Sequence, residues 1–158
     1  MISPVSLQPA NFPLPEQHLV PLGVAALLHR LRPQRLPLPR YVRHLAGWPL
    51  LAGGVCLAVW ATGTAGDVSL SSPTRLVRTG PYAFSRNPMY LAWSLLHLGT
   101  GLVTGSALIL ETLPLALVFT HRQIQAEEQT LSEAFGAEFA EYKMTVPRYF
   151  LIRTSSTS

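Results

Sequence analysis

Long runs without charged side chains constrain this sequence more than any other feature. Residues 45–65 carry no charge, and residues 89–120 carry a single one, Glu111. A bilayer core is crossed by roughly 20 mostly apolar residues, or by fewer where the membrane adapts to a short helix. The first run therefore predicts one membrane helix. The second run is too long for one crossing and predicts two short ones, which form a hairpin that turns at Gly105 and Ser106.

The composition supports this interpretation. Of the 158 residues, 48% are apolar and 13% are charged, whereas a soluble domain carries about 25% charged residues. A net charge of +4 on so apolar a chain excludes disorder, and the single cysteine, Cys56, excludes a disulfide framework. The basic residues lie between apolar runs and form no polar face, so we expect neither a nucleic-acid partner nor a metal. We expect one all-α domain over residues 1–158, embedded in the membrane.

A further apolar segment, residues 19–31, is shorter than the other runs. It predicts either a membrane crossing or a helix lying in the interface, and the sequence leaves both open. With a crossing there, the chain has about four transmembrane helices, the last two forming the hairpin. Basic residues flank the runs on both sides, so charge counting does not set the orientation.

The polar residues collect in two segments, residues 72–90 and residues 121–150. A hairpin between them returns the chain to the side it left, so the two segments can share one site. The first segment has turn sequences at Gly80-Pro81 and Asn87-Pro88. Pro88 suits the first turn of the next helix, with Asn87 as its cap.

The second segment predicts an amphipathic helix. Ile124, Glu127 and Leu131 share one stripe at helical spacing, whereas Glu128 falls about 100° further round, on the polar side. A carboxylate on an apolar stripe needs compensation, which a cation would provide. Gly136 predicts a helix end or a kink.

Two polar residues within the apolar runs, His97 and Glu111, admit two interpretations. An ionisable side chain inside a membrane is by default a functional candidate. Against this, Glu111 is close enough to the Gly105 turn to reach the interface, and His97 is in surroundings typical of a helix-packing hydrogen bond.

Taken in order, these motifs resemble the isoprenylcysteine carboxyl methyltransferase and phospholipid methyltransferase superfamily. The similar residues are LVRTGPYAFSRNPMY, the apolar hairpin, and EEQTLSEAFGAEFAEYKMTVPRYF, within residues 74–149. The resemblance implies a multi-pass enzyme of a bacterial inner membrane, with a catalytic half at about residues 67–150 facing the cytoplasm. It implies S-adenosylmethionine as the cofactor, held between the two polar segments. The implied acceptor is lipophilic, with either a carboxylate like that of isoprenylcysteine or an amine like that of a phospholipid.

Carried over residue by residue, the resemblance implies cofactor contacts from eleven positions: Thr74, Arg75, Leu76, Val77, Tyr82, Asn87, Pro88, Met89, Tyr90, Glu127 and Glu128. The isoprenylcysteine branch has an arginine four residues before the first of the two glutamates, where this chain has Gln123. The neighbouring Arg122 is a candidate substrate contact, although the departure weighs against a prenylcysteine carboxylate. No residue is identified as a general base.

Two alternatives differ in class. One is a relative of the NADPH-dependent sterol-type reductases, for which this chain is short. The other is a non-catalytic membrane module of the same fold, against which the intact motifs around Asn87, Tyr90 and Glu127 argue.

Overall fold

The structure is a computed structural model that describes residues 15–66, residue 68 and residues 74–149. These residues form four α-helices and no named strand: α1 (Glu16–Leu31), α2 (Arg40–Ala65), α3 (Pro88–Thr104) and α4 (Ala107–Thr145). A short 3₁₀ turn over Gly80–Ala83 lies between α2 and α3. Helix α2 packs on α3, α1 packs on α4, and α3 and α4 pack on each other. The predicted all-α fold is confirmed for the described part of the chain.

One described helix, α2, is long and apolar enough to cross a membrane by itself. Helices α1 and α3 have 16 and 17 residues. The second arm of the hairpin does not stop at the membrane surface, because α4 continues for 39 residues through the whole polar segment. The predicted amphipathic helix is therefore the continuation of that arm, and the arrangement with four crossings stays a prediction.

The hairpin turn lies where the sequence places it. Gly105 ends α3 in the left-handed region at φ +68°, where a residue without a Cβ is favoured. Ser106 begins α4, and its hydroxyl accepts a hydrogen bond from the Ile109 N–H at 3.3 Å. The connection between α1 and α2 lies against this turn, since Leu36 donates its N–H to the Gly105 carbonyl at 2.9 Å.

Small residues let α2 and α3 approach closely. A Cβ added to Gly54 would lie 2.8 Å from the Leu96 side chain and 3.0 Å from the Ala92 carbonyl oxygen. A Cβ on Gly53 would meet no atom within 4 Å. The close approach therefore involves Gly54 and not Gly53, because successive residues of a helix point about 100° apart.

A buried polar chain joins α1, α3 and α4. His18 and His97 are both fully buried, and their Nδ1 atoms are 3.2 Å apart. Because the Ile109 carbonyl only accepts, the His97 Nε2–H at 2.9 Å is its donor. The His97 Nδ1 then accepts from His18, and the His18 Nε2 accepts from the Thr120 hydroxyl at 3.2 Å. His97 is therefore a helix-packing hydrogen bonder, one of the two interpretations of its sequence position, whereas Glu111 is exposed.

A kink at Gly136 changes the direction of α4. Its φ of 47° and ψ of −116° interrupt the helical geometry, as the sequence predicts. Beyond the kink, Phe139, Tyr142 and Val146 form a buried cluster against which Leu76 packs. The kink thereby places the last turns of α4 against the loop that precedes α3.

Candidate functional site

The two polar segments meet at the end of the hairpin away from its turn. The Tyr142 hydroxyl donates to the Tyr82 carbonyl at 2.6 Å. The Arg148 carbonyl accepts from the Ser85 hydroxyl and from the Asn87 side-chain amide, both at 3.2 Å. The juxtaposition expected from the hairpin is therefore present, and side-chain donors bonded to backbone carbonyls hold it.

The start of α3 differs from the prediction in one respect. Asn87 is in the cap position and Pro88 in the first turn, as expected, but the Asn87 side chain makes no capping hydrogen bond. It bonds to Arg148 instead, because the C-terminal segment supplies a carbonyl that a helix start does not. Pro88 and Met89 are buried, and the Met89 sulfur accepts from the Thr62 hydroxyl at 3.8 Å. These residues fix the position of Tyr90, the next residue of α3.

Glu127 faces Tyr90 across the hairpin. The Tyr90 hydroxyl donates to a Glu127 carboxylate oxygen at 2.6 Å, and the Gln123 amide donates to the same oxygen at 3.1 Å. Glu127 is partly buried, and within the described residues its hydrogen-bond donors are uncharged. The sequence predictions of Tyr90 and Glu127 as site residues thus fall on one hydrogen-bonded pair.

The prediction that Glu128 is on the polar side is wrong. Glu128 is 7% exposed, and Arg148 donates to both of its carboxylate oxygens, at 3.1 and 2.7 Å. Arg86 lies 3.1 Å from the same carboxylate. Thr120, Ile124 and Glu128 are buried at intervals of four residues along this helix. The buried face is therefore rotated away from the predicted stripe. The two arginines that compensate the charge come from outside α4, so the helix sequence alone does not indicate them.

Two nitrogen donors of Arg86 have no hydrogen-bond partner in the described part of the chain. Its side chain is 10% exposed, and within the described residues its Nε and Nη1 atoms form no hydrogen bond, although Nη1 is close to Glu128. The buried hydroxyl of Tyr82 likewise has no hydrogen-bond partner there. Burial lowers the pKa of Arg86, whereas the charge of Glu128 raises it. Together Arg86, Arg148 and Glu128 carry one net positive charge, which favours an anionic ligand group.

The remaining sequence candidates divide into packed and exposed residues. Leu76 packs on the Tyr142 cluster, and Val77 packs on the cluster around Tyr82 and Met89 at the base of α3. Thr74, Arg75 and Arg122 are exposed. Their predicted contacts to cofactor or substrate stay predictions.

A cavity of about 360 Å³ opens beside the Tyr90–Glu127 pair, between α3 and α4. In it, His121 Nδ1 lies 2.8 Å from the Tyr149 hydroxyl. Leu117, one of the lining residues, is also exposed on the outer surface of α4. The residues that line the cavity are Tyr90, Leu91, Ser94, Leu117, Thr120, His121 and Tyr149.

Sequence reasoning missed five residues of this region: Arg86, His121, Tyr142, Arg148 and Tyr149. Each lies inside one of the two polar segments, but its partner is distant along the chain, so spacing gives no signal.

The fold and the site define a small helical protein with an apolar hairpin and a polar site at the open end of that hairpin. The chain belongs to the phospholipid methyltransferase family, whose model matches residues 42–138. The resemblance found in the sequence is therefore confirmed.

Three characterised proteins are similar to parts of the chain. The cobalt-zinc-cadmium resistance protein CzcN of Cupriavidus metallidurans is 38% identical over 76 residues, which are 48% of this chain and 35% of that protein. The nickel-cobalt-cadmium resistance protein NccN of Alcaligenes xylosoxydans xylosoxydans is 34% identical over 95 residues, 57% of this chain and 44% of that protein. The protein-S-isoprenylcysteine O-methyltransferase of Saccharomyces cerevisiae is 40% identical over 72 residues, 45% of this chain and 30% of that protein. The chain thus spans less than half the length of each, and no solved structure matches it significantly.

Proposed function

We propose that this protein is a membrane methyltransferase that uses S-adenosylmethionine and methylates a lipophilic acceptor. The observation that carries the proposal is the pair of glutamates at the open end of the hairpin. Arg86 and Arg148 neutralise Glu128, whereas Glu127 has a phenol and an amide as partners. Glu127 is therefore the carboxylate available to a cationic cofactor, and membership of the phospholipid methyltransferase family supports methyl transfer.

The groups at the site fit both ends of S-adenosylmethionine. Its positive charges suit the Glu127 carboxylate and the ring of Tyr90, which attracts cations by its π face. Its carboxylate suits the buried Arg86 donors and the Tyr82 hydroxyl, which have no hydrogen-bond partner in the described residues. When bound, the cofactor supplies an electrophilic methyl group on sulfur.

The chain itself orients the two reactants and excludes water from them. Methyl transfer is an in-line displacement, so orientation of the two reactants is the main requirement. The bonds from Ser85 and Asn87 to the Arg148 carbonyl close the loop before α3 over the end of α4. Glu128 fixes Arg86 and Arg148 in that closed arrangement and acts as a positioning residue.

We further propose a multi-pass arrangement in a bacterial inner membrane, with the site on the cytoplasmic face and one domain whose catalytic half is about residues 67–150. The acceptor is a lipophilic molecule, of which an isoprenylcysteine-like carboxylate and a phospholipid-like amine are the two forms implied by the family. Two relatives are named as metal-resistance proteins. In the described residues no group of three or more histidine, cysteine, aspartate or glutamate side chains is placed to hold a metal ion, and a metal-free protein stays a prediction.

Titration of the detergent-purified protein with S-adenosylmethionine, and separately with NADPH, tests the proposal. We expect Glu127→Gln to weaken S-adenosylmethionine binding by about two orders of magnitude. The reason is that a carboxylate about 4–5 Å from a cation contributes roughly 3–4 kcal/mol at an effective dielectric near 20.

Glu133→Gln is the matched control, because Glu133 is an exposed glutamate bonded to the glutamine one turn earlier, as Glu127 is. It should leave the affinity within about twofold. Binding of NADPH in place of S-adenosylmethionine would favour the reductase alternative, and equal affinities of both variants would contradict the role of Glu127.

A further inference from the structure

We infer that the cavity between α3 and α4 takes the methyl acceptor, that the acceptor is an uncharged thiol or phenol on an apolar tail, and that His121 accepts its proton. The inference rests on the proposed function, replaces the two acceptor forms implied by the family with a thiol or a phenol, and names a catalytic residue.

The lining of the cavity defines the class of ligand. None of its seven residues is an arginine, lysine, aspartate or glutamate. An anionic acceptor such as a carboxylate would lose its hydration there without gaining a counterion, which disfavours its binding. Leucines and tyrosine rings instead favour an apolar group, and Leu117, which lines the cavity and is itself exposed, provides an approach from lipid. The cavity therefore suits a neutral molecule that arrives from the membrane.

His121 is arranged to take a proton inside this cavity. Its Nδ1 is 2.8 Å from the Tyr149 hydroxyl oxygen. Burial raises the pKa of Tyr149, so this group stays a neutral phenol at physiological pH. When the neutral imidazole carries its proton on Nδ1, the Tyr149 hydroxyl oxygen accepts a hydrogen bond from Nδ1–H. The Nε2 atom is then left to bind the proton of the acceptor. The same oxygen then stabilises the imidazolium, because Nδ1–H is a donor in both states.

The titratable groups around His121 come from every neighbouring element. Tyr90 faces it from α3 and is bonded to Glu127. From α1, His18 reaches the adjacent Thr120 hydroxyl. Arg148, next to Tyr149 in the C-terminal segment, is bonded to Glu128. Each of these groups has its own partner, and His121 is the imidazole that lines the cavity.

The transfer step is balanced with the groups named. The sulfur or oxygen of the acceptor loses its proton to His121 Nε2, and its electron pair forms the new bond to the methyl carbon. The bond between that carbon and the sulfonium sulfur breaks, and its electrons return to sulfur, which leaves as a neutral thioether. The proton on His121 then passes to water, which restores the neutral imidazole.

The test uses the full chain in lipid nanodiscs with S-adenosylmethionine carrying a radioactive methyl group. Three probes share one chain length and differ in the accepting group: dodecanethiol, 4-dodecylphenol and dodecanoate. We expect transfer to the thiol or the phenol, and to dodecanoate at no more than a tenth of that rate. His121→Gln should lower kcat by about 100-fold, since general base catalysis contributes about 10²–10⁴, with the Kd of S-adenosylmethionine changed less than about twofold.

The pH profile separates a base from a merely structural residue. A rate that depends on a general base falls in acid, where the base is already protonated. The deficit of His121→Gln should shrink as the pH rises towards the pKa of the probe, because the probe then ionises without help. Gln125→Ala, an exposed position one turn away on α4, should match the wild type throughout.

Three results would overturn the inference: dodecanoate methylated as fast as the thiol and the phenol, a pH-independent deficit in His121→Gln, or no transfer to any probe by a protein that binds S-adenosylmethionine. A protein that does not bind S-adenosylmethionine would instead contradict the proposed function, so the two failures are distinguishable.

Discussion

Two adjacent glutamates of α4 have different surroundings, and the difference follows from what reaches them from other segments. Glu128 is nearly enclosed, and two guanidinium groups neutralise it. Glu127 is less buried and has uncharged hydrogen-bond donors as partners. The first arrangement maintains the structure, because a buried carboxylate with two cations holds three segments together. The second leaves a negative charge at the site.

Glu128→Gln should therefore lower the stability of the protein. Removing one partner from a buried ion pair costs about 3–5 kcal/mol, because the other charges stay buried. We expect about 3 kcal/mol, since Arg148 is one-third exposed and water takes up part of its charge. The free energy of unfolding in detergent measures this. Glu133→Gln, at an exposed glutamate, should change it by less than about 0.5 kcal/mol, and equal effects would contradict the role given to Glu128.

Alkaline pH should weaken the contact between Tyr142 and Tyr82. Burial raises the pKa of Tyr142 from its ordinary value near 10 to about 12. The stability that the protonated phenol contributes is complete below pH 10 and is lost as the pH rises to about 12. The loss over this pH interval amounts to roughly 2–3 kcal/mol of the free energy of unfolding.

Comparing the wild type with Tyr142→Phe isolates this effect. At pH 9 the variant should be less stable by about 1 kcal/mol, the typical net value of a hydrogen bond. The difference in the free energy of unfolding should vanish or reverse by pH 12, because the phenylalanine does not ionise. A difference that stays constant from pH 9 to 12 would contradict the raised pKa.

At the scale of elements, the packing of α2 on α3 depends on which glycine faces the partner helix. Gly54→Ala should destabilise the protein by about 1–3 kcal/mol, the usual cost of inserting a methyl group into a filled contact, because the new carbon would press on Leu96 and on the Ala92 carbonyl. Gly53→Ala should be neutral or stabilising by up to about 1 kcal/mol, since its surroundings are open and alanine favours helix. Measuring the free energy of unfolding of both variants under the same conditions checks which substitution costs more. A larger loss of stability for Gly53→Ala would contradict the packing.

The elements that could be predicted from the sequence are those fixed by local chemistry. The hairpin turn follows from Gly105 and the kink from Gly136, because each needs a backbone conformation that glycine favours. The buried face of α4 could not be predicted from apolar residues, since Thr120 and Glu128 are buried only because His18, Arg86 and Arg148 reach them from elsewhere. The candidate site is predicted from its motifs, whereas its ion pairs and its cavity depend on the three-dimensional arrangement.

On the scale of the whole molecule, the hairpin has two chemically different ends. The α1–α2 connection lies beside the turn at Gly105, and the loop before α3 lies beside the last turns of α4. In the proposed multi-pass arrangement, these ends face opposite sides of the membrane.

Single cysteines in a Cys56→Ala background test this topology. Cysteines replacing Thr79 and Ala140, exposed residues of the loop and of α4, should react with an impermeant thiol reagent from the same side in oriented membrane vesicles. A cysteine replacing Leu38, exposed in the α1–α2 connection, should react from the other side. Labelling of Thr79 and Ala140 positions from opposite sides would contradict the arrangement.

The buried histidine of α1 has a consequence for biosynthesis. His18 leaves the ribosome 79 residues before His97 and 102 residues before Thr120. At about 5–20 residues per second, the wait for the last partner is roughly 5–20 s. In the proposed multi-pass arrangement, an imidazole without partners is unfavourable in lipid, so we expect α1 to stay at the membrane surface during this interval and to enter when the hairpin arrives. The order in which helices are inserted would then differ from the order in which they are translated.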